Sequence, residues 1–206
     1  MLGSRRDVPV ELLSEENYFV FQPLLPEVAA GGLNPNHAVS PIRDLVPNAQ
    51  FRWCKVNGVD TDKRVVLCAQ GEGRELVEVP YDHLVFGLGK VSDFSSMPGV
   101  SEHSLAMKDL SDAFMLRNHV FQCLELADVE DDPNDKAALL TFVVAGGGFS
   151  GVETIGEMSE LLHKCVKSFH NIQPQEISLV LIHSRDILLP EMKAKLGKAA
   201  TDTLRK

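Results

Sequence analysis

A chain of 206 residues, 44% of them hydrophobic, has the size and composition of one or two globular domains. A formal net charge of −9 is the wrong sign for a sequence-independent grip on nucleic acid, so no nucleic-acid partner is expected. No apolar run is long enough to cross a bilayer, no signal-peptide core opens the chain, and Cys54, Cys68, Cys123 and Cys165 form no C-x-x-C pair, which predicts reduced structural thiols in a cytoplasmic setting.

In chain order, Val8 to Leu13 reads as a short strand, and Phe19 to Ala30 as a loop leading into a helix. From Phe51 to Phe86 the pattern is a β-rich insert. Runs such as Arg64–Cys68 and Leu76–Val79 alternate with turn chemistry at Asn57-Gly58, Asp60-Thr-Asp62 and Gly71-Glu-Gly73. Tyr81 to Gly87 closes the insert with a further strand. Pro98-Gly99 marks a turn, after which Asp109 caps a helix carrying Ala113, Leu116, Val120, Leu124 and Ala127 on one side. The acidic stretch from Asp128 to Asp135 reads as a solvated loop.

An apolar run, Ala138 to Val144, then leads into Ala145-Gly-Gly-Gly-Phe-Ser-Gly-Val-Glu-Thr154. Gly146, Gly148 and Gly151 stand in the G-x-G-x-x-G register of a strand-to-helix turn that holds a dinucleotide pyrophosphate, with Gly147 between them. The first glycine permits the tight turn. The second lets backbone N–H groups approach phosphate, and the third lets helix and strand pack closely. The helix N-terminus adds unpaired donors and a partial positive charge. The helix predicted after Gly151 carries apolar residues from Val152 to Val166 at the 3.6-residue period, with Glu160 and Lys164 as an i,i+4 pair. A second buried strand, Ile177 to Ile182, completes a βαβ unit.

The residue ending that second strand reads the adenosine ribose in such a unit, an acid favouring NAD. Here it is His183, followed by Ser184 and Arg185, which leaves NADPH open; an exposed polar strand end is the plain alternative. Glu153 is predicted in the first helical turn, where the helix dipole alone accounts for an acid. Its functional reading is a catalytic-site role near the nicotinamide. Glu157, one turn on, reads as structural. Ser150 sits in G-x-S-G, which is not the G-x-S-x-G elbow of a nucleophilic serine. The seven histidines show no ligand spacing such as H-E-x-x-H, so no metal site is expected.

Gly146-Gly-Gly-x-x-Gly-Val-Glu153, followed by a long helix and Ile187-Leu-Leu-Pro190, resembles the second glycine motif of the type II NADH dehydrogenases. The likeness extends upstream to Asn17-Tyr-Phe-Val-Phe-Gln-Pro-Leu-Leu25, similar to that family's N-x-x-x-F-x-P-L-L segment beside the flavin. Tyr81-Asp-His-Leu-Val-Phe-Gly-Leu-Gly89 is similar to its Y-D-x-L-V-x-A-x-G strand, and Leu116-Arg-Asn-His119 resembles its interdomain helix.

The resemblance implies an α/β fold, a partial Rossmann-like flavoprotein of two dinucleotide-binding domains with a β-rich insert. Residues 1–105 would be an incomplete FAD-binding domain lacking its first glycine-motif unit, with the insert at about 50–80; residues 106–206 would be the linking helix and the first half of the NAD(P)H-binding domain. FAD and NAD(P)H are the implied cofactors. The mechanism that the resemblance implies is hydride transfer from nicotinamide to flavin, followed by reduction of a quinone by the flavin. Gly146, Gly148, Gly151 and Glu153 would contact NAD(P)H. Glu15 or Glu16 would hold the FAD ribose, Pro23 and Leu24 would pack near the isoalloxazine, and Gly89 would allow close approach to the flavin. The family also implies peripheral attachment to the cytoplasmic, inner face of a membrane and leaves room for a homodimer.

Three departures stand out. No G-x-G-x-x-G precedes Val8, the family's C-terminal portion does not follow Lys206, and His183 replaces the usual Glu. The chain therefore reads as an interior fragment or truncated product. A sulfide:quinone or ferredoxin-type reductase of the same superfamily is an alternative, the former weakened by the lack of suitably placed cysteine pairs. A non-catalytic nucleotide-binding remnant is another.

Overall fold

The computed structural model describes residues 8–71, 75–92, 94 and 97–205. The first elements are β1 (Glu11–Ser14), β2 (Tyr18–Val20), α1 (Leu25–Ala29), β3 (Val39–Pro41) and α2 (Ile42–Leu45). Four strands follow: β4 (Gln50–Trp53), β5 (Lys55–Asp60), β6 (Val65–Ala69) and β7 (Leu76–Pro80). The remainder is α3 (Val100–His103), α4 (Leu110–Val129), α5 (Pro133–Leu139), β8 (Thr141–Ala145), α6 (Phe149–Cys165), β9 (Ser178–Ile182) and α7 (Ala194–Leu204). Among the described residues no helix is long and apolar enough to cross a membrane. Contacts divide the chain into two units, Met1–Val20 with Val39–Asp93, and Phe21–Ala38 with Phe94–Lys206.

In the first unit β1 pairs parallel with β4, from Glu11 opposite Gln50 to Ser14 opposite Trp53. The strand expected over Val8–Leu13 therefore lies slightly later. β2 and β3 form a short antiparallel pair, so Phe19 and Val20 are strand rather than loop. The insert is a meander, β5-β6-β7, with Cys54, Val66, Cys68 and Val79 buried on one side. Its β5–β6 turn follows from Asp60, whose carboxylate accepts the N–H groups of Asp62 and Lys63 at 3.0 and 2.9 Å.

Two expectations fail here. Asn57-Gly58 is a register irregularity within β5, because residues on both sides continue to pair with β6. Tyr81–Gly87 is not a strand. The Tyr81 N–H bonds back to the Arg64 carbonyl at 3.0 Å, beyond which no ladder partner exists among the described residues, and a strand without one does not persist. Val85 and Phe86 are exposed accordingly. Of the turn at Gly71–Gly73, residues 72–74 lie outside those described.

In the second unit α4 begins as expected. Asp109 accepts the Asp112 N–H at 2.9 Å while the Asp112 carboxylate accepts the Asp109 N–H at 3.1 Å, a reciprocal capping box. Ala113, Val120, Cys123, Leu124 and Ala127 are buried along its inner stripe. The acidic loop is mostly helix. α4 runs to Val129, and Asp132 caps α5 by accepting the Asn134 N–H at 2.8 Å, with Pro133 in the first helical position. An Asp-Pro start is a strong local helix signal, and it outweighs the charge. α5 also takes Ala138 and Leu139 out of the expected strand, so β8 starts at Thr141.

β8 and β9 pair parallel, Phe142 opposite Leu179 and Ala145 opposite Ile182. They flank α6 in sequence, giving the βαβ unit. The strands are not buried on both faces as expected: Phe142 is 6% exposed, whereas Val143 and Ile182 are 55% and 57% exposed. The inner face joins Leu124, Leu140, Met158, Leu161, Leu162 and Val166 in the main core. α1 packs against both α4 and α6. It stops at Gly31 (φ +72°), where the Gly32 N–H closes on the Glu27 carbonyl at 2.9 Å.

Candidate nucleotide-binding site

The turn between β8 and α6 separates the tasks of its glycines. Gly146 has φ +121°, a conformation costly for any residue with a Cβ. Its N–H continues the sheet by donating to the Ile182 carbonyl at 2.8 Å. Gly148 is the N-cap of α6, and a Cβ added there would meet nothing within 4 Å; the space in front of it is open. A Cβ on Gly151 would stand 1.8 Å from the Gly146 carbonyl oxygen, so only glycine lets the turn fold onto the helix. The Val152 N–H donates to the Gly148 carbonyl at 3.1 Å, and the amides of Phe149, Ser150 and Gly151 before it lack intrahelical acceptors, as at every helix start.

Gly147, which the motif leaves unspecified, is held on both sides. Its N–H donates to Nδ1 of His183 at 3.1 Å, and its carbonyl accepts the Leu189 N–H at 2.8 Å. A Cβ on Gly147 would lie 2.6 Å from Cγ of His183 and 2.7 Å from Cδ2 of Leu188. Leu189 itself has φ +51°, a left-handed conformation unfavourable for a leucine and held here by the surrounding contacts. Nothing in the residue types of Ile187-Leu-Leu-Pro190 announces this clamp, since a left-handed turn is ordinarily signalled by Gly or Asn.

His183 follows β9 directly but is not an exposed strand end. It is half-buried, and its Nε2 is buried without a hydrogen-bond partner among the described residues. Glu153 is exposed and lies in the second turn of α6, not the first, because the helix already begins at Phe149. Its presence is therefore not accounted for by a first-turn dipole contact, which fades within one turn. Glu157, on the same helix, is half-buried, and its carboxyl is pushed up by burial, then by Glu160 and by Glu27 on α1. Sequence reasoning missed the approach of Glu27, since it depends on α1 packing against α6.

The other expected residues divide between the two units. Glu15, Glu16 and Gly89 belong to the first, Pro23 and Leu24 to the second. Glu15 and Glu16 follow β1 and are both exposed. The Glu15 carboxylate pairs with Lys55 at 3.5 Å and its carbonyl accepts the Trp53 indole N–H at 2.5 Å. The Glu16 N–H donates to Ser14 Oγ at 3.2 Å. Gly89 has φ +71° with open space where a Cβ would be. Pro23 is exposed in the 3-10 turn Gln22–Leu24, and Leu24 is half-buried.

An open cleft of about 820 Å³ lies elsewhere, lined by Asp128, Lys136, His170, Asn171 and Glu176 among others. It sits by Leu140 and Glu176, at the N-terminal ends of β8 and β9, whereas ligands of open α/β sheets bind at the C-terminal ends. Its polar groups satisfy one another: Lys136 pairs with Glu176 at 2.9 Å, and Asp128 accepts the Asn171 N–H at 2.8 Å. The thiols offer no reactive alternative. Burial and a hydrogen bond with Cys68 push the Cys54 thiol up to about 12, and burial raises Cys123 and Cys165.

A parallel βαβ unit whose glycine turn leaves one open approach and three amides without intrahelical acceptors defines a dinucleotide-binding fold of the Rossmann class. The sequence pattern of the pyridine nucleotide-disulphide oxidoreductases matches residues 2–206, and the chain belongs to that family. It is 31% identical over 210 residues to the type II NADH:quinone oxidoreductase Ndh of Mycobacterium tuberculosis, an alignment covering 98% of this chain and 44% of that protein. It is 30% identical over 196 residues to the mitochondrial external alternative NADH-ubiquinone oxidoreductase of Yarrowia lipolytica, covering 91% of this chain and 34% of the relative. Among solved structures, NDH2 from Plasmodium falciparum in complex with NADH superposes with a TM-score of 0.88 at 26% identity, over 96% of this chain and 41% of that one. The chain thus spans between about a third and under half the length of these relatives.

Proposed function

We propose that this chain is part of an FAD-dependent NAD(P)H:quinone oxidoreductase of the type II kind. Residues 1–105 would contribute a portion of the FAD-binding domain, and residues 106–206 the linking helix and the first half of the NAD(P)H-binding domain. The observation that carries the reading is the set of environments at Gly146, Gly148 and Gly151, a left-handed turn, an open approach and a close backbone contact. Each matches what a pyrophosphate cradle demands of its glycine. The names of the relatives support the quinone as acceptor.

The cofactors supply the hydride and electron chemistry when bound. This chain's residues bind and orient. The amides at the start of α6 would hold the pyrophosphate, and Glu153 would face the nicotinamide end. His183 would serve the cofactor site through Gly147. On the flavin side, the pairing of Glu15 with Lys55 favours Glu16 as the acid for the ribose. Pro23 and Leu24 would pack beside the isoalloxazine, and Gly89 would permit close backbone approach. Peripheral attachment to the cytoplasmic, inner face of a membrane and a homodimer belong to the same proposal.

The 206-residue chain should be purified and examined for flavin absorbance, for binding of NADH by calorimetry, and for NADH oxidation with a soluble quinone. Binding of NADH with flavin retention supports the reading. A colourless chain that binds NADH leaves a nucleotide-binding piece without activity of its own, and a chain inert to NADH overturns the nucleotide site.

A further inference from the structure

We propose that His183 is a positioning residue that holds the glycine turn from behind, and does not read the adenosine ribose; this rests on the nucleotide-site reading above. The residue ending the second strand of such a unit ordinarily reaches the ribose hydroxyls. Here its ring is committed elsewhere. Nδ1 accepts the Gly147 N–H at 3.1 Å, and Cγ and Cδ2 stand 2.6 and 2.8 Å from where a Gly147 Cβ would be. The absence of a side chain at Gly147 is what admits the imidazole.

An imidazole that accepts at Nδ1 carries its proton on Nε2. That atom is buried with no partner among the described residues, an arrangement that costs stability and that native structures seldom keep without a reason. The return is control of the turn. His183 takes the N–H of Gly147, Leu189 donates to its carbonyl at 2.8 Å, and Leu188 closes over it. The Leu188 carbonyl is in turn seated against Gly197 of α7, where a Cβ would come within 2.3 Å. Both peptide planes flanking Gly147 are thereby fixed before any ligand arrives, and the amides at the start of α6 remain free to face one. Preset donors of this kind bind an anion without first being ordered. With His183 turned inward, the residues left at the strand end are the exposed Ser184, Arg185 and Asp186.

The test uses the full 206-residue chain, titrated by calorimetry with ADP-ribose and with 2′-phospho-ADP-ribose, in the unsubstituted form and as His183→Ala and His183→Asn. Both ligands share the pyrophosphate and differ only at the ribose. His183→Ala should weaken both by the same factor, about tenfold, the scale of one lost hydrogen bond, and leave their affinity ratio unchanged. His183→Asn, whose Oδ1 can accept the Gly147 N–H, should restore most of the binding of both. A change in the ratio on His183→Ala assigns the residue to the ribose and overturns the proposal, as does unchanged binding, or a folded His183→Asn that rescues neither ligand. If the unsubstituted chain binds neither ligand, the nucleotide-site reading falls and takes this proposal with it.

Discussion

The carbonyl oxygen of Gly146 lies 1.8 Å from the point where a Cβ on Gly151 would stand, closer than any side chain allows. Three residues earlier, a Cβ on Gly148 would touch nothing within 4 Å. The two motif glycines should therefore fail in opposite ways. Gly151→Ala must push the turn off the helix and should cost about 3 kcal/mol or more in urea denaturation. Gly148→Ala should cost less than about 1 kcal/mol, since it changes only the quality of the N-cap, yet should weaken NADH binding at least about tenfold by filling the approach to the pyrophosphate. Equal stability losses in the two variants would contradict the geometry.

Glu157 carries a carboxyl raised by burial first, then by Glu160 and Glu27. A raised folded-state pKa means that the folded chain holds the proton more tightly than the unfolded one. The associated stability is fully present below the unfolded pKa and is lost as pH rises through the raised value. Ionised Glu157 is therefore a burden at neutral pH. Glu157→Gln should stabilise by about 0.2–0.5 kcal/mol, or up to about 2 °C in Tm, at pH 7. The gain should vanish below about pH 4, where the carboxyl is protonated in both states. A pH series of thermal melts decides this, and a less stable Glu157→Gln at neutral pH refutes it.

Asp109 anchors the capping box of α4, and its carboxyl is held below the usual carboxylate range by the Ser111 hydroxyl first and then the Asp112 N–H. Asp109→Ala should lower stability by about 1 kcal/mol, which is about 2–4 °C in Tm for a chain of this size. A lowered folded pKa contributes stability above the unfolded value that is lost as pH falls through the folded one. The difference between the parent and Asp109→Ala should accordingly shrink in acid; a gap that widens toward low pH would rule out the cap as its source.

Cys54 and Cys68 are 3% and 0% exposed, and the Cys54 thiol is raised to about 12. The thiolate is the reactive form, so neither cysteine should alkylate in the folded chain. Iodoacetamide labelling read by mass spectrometry at mildly alkaline pH should leave both unmodified until urea unfolds the insert. Rapid native labelling of Cys54 would mean that the β5–β7 meander opens far more readily than its packing implies.

The glycine register, the Asp109 cap, the apolar stripe of α4 and the long amphipathic α6 are all legible in the chain itself. Each depends on residues within a few positions of one another, where chemistry and spacing act directly. The Asp132-Pro133 start of α5 was also present in the residues but hidden beneath a run of acids; local capping outweighed the charge. Asn57-Gly58 carries the residue types of a turn, yet pairing of β5 with β6 on both sides keeps it within a strand. Tyr81–Gly87 has strand composition and no ladder to join among the described residues.

By itself the amino-acid sequence determined that a glycine turn joins a strand to a helix and where its three motif glycines stand; Gly146 and Gly151 need the absence of a Cβ for that turn to fold, and Gly148 keeps its outer side open. Only the tertiary structure decided what His183 does. Its partner is Gly147, 36 positions away, and the two meet because parallel pairing sets Ala145 opposite Ile182 and so brings the residues just beyond each strand end together. The clamp by Leu188 and Leu189 is of the same kind: a left-handed leucine is unfavourable locally and persists because the packing of the glycine turn and of Gly197 leaves the chain no other path.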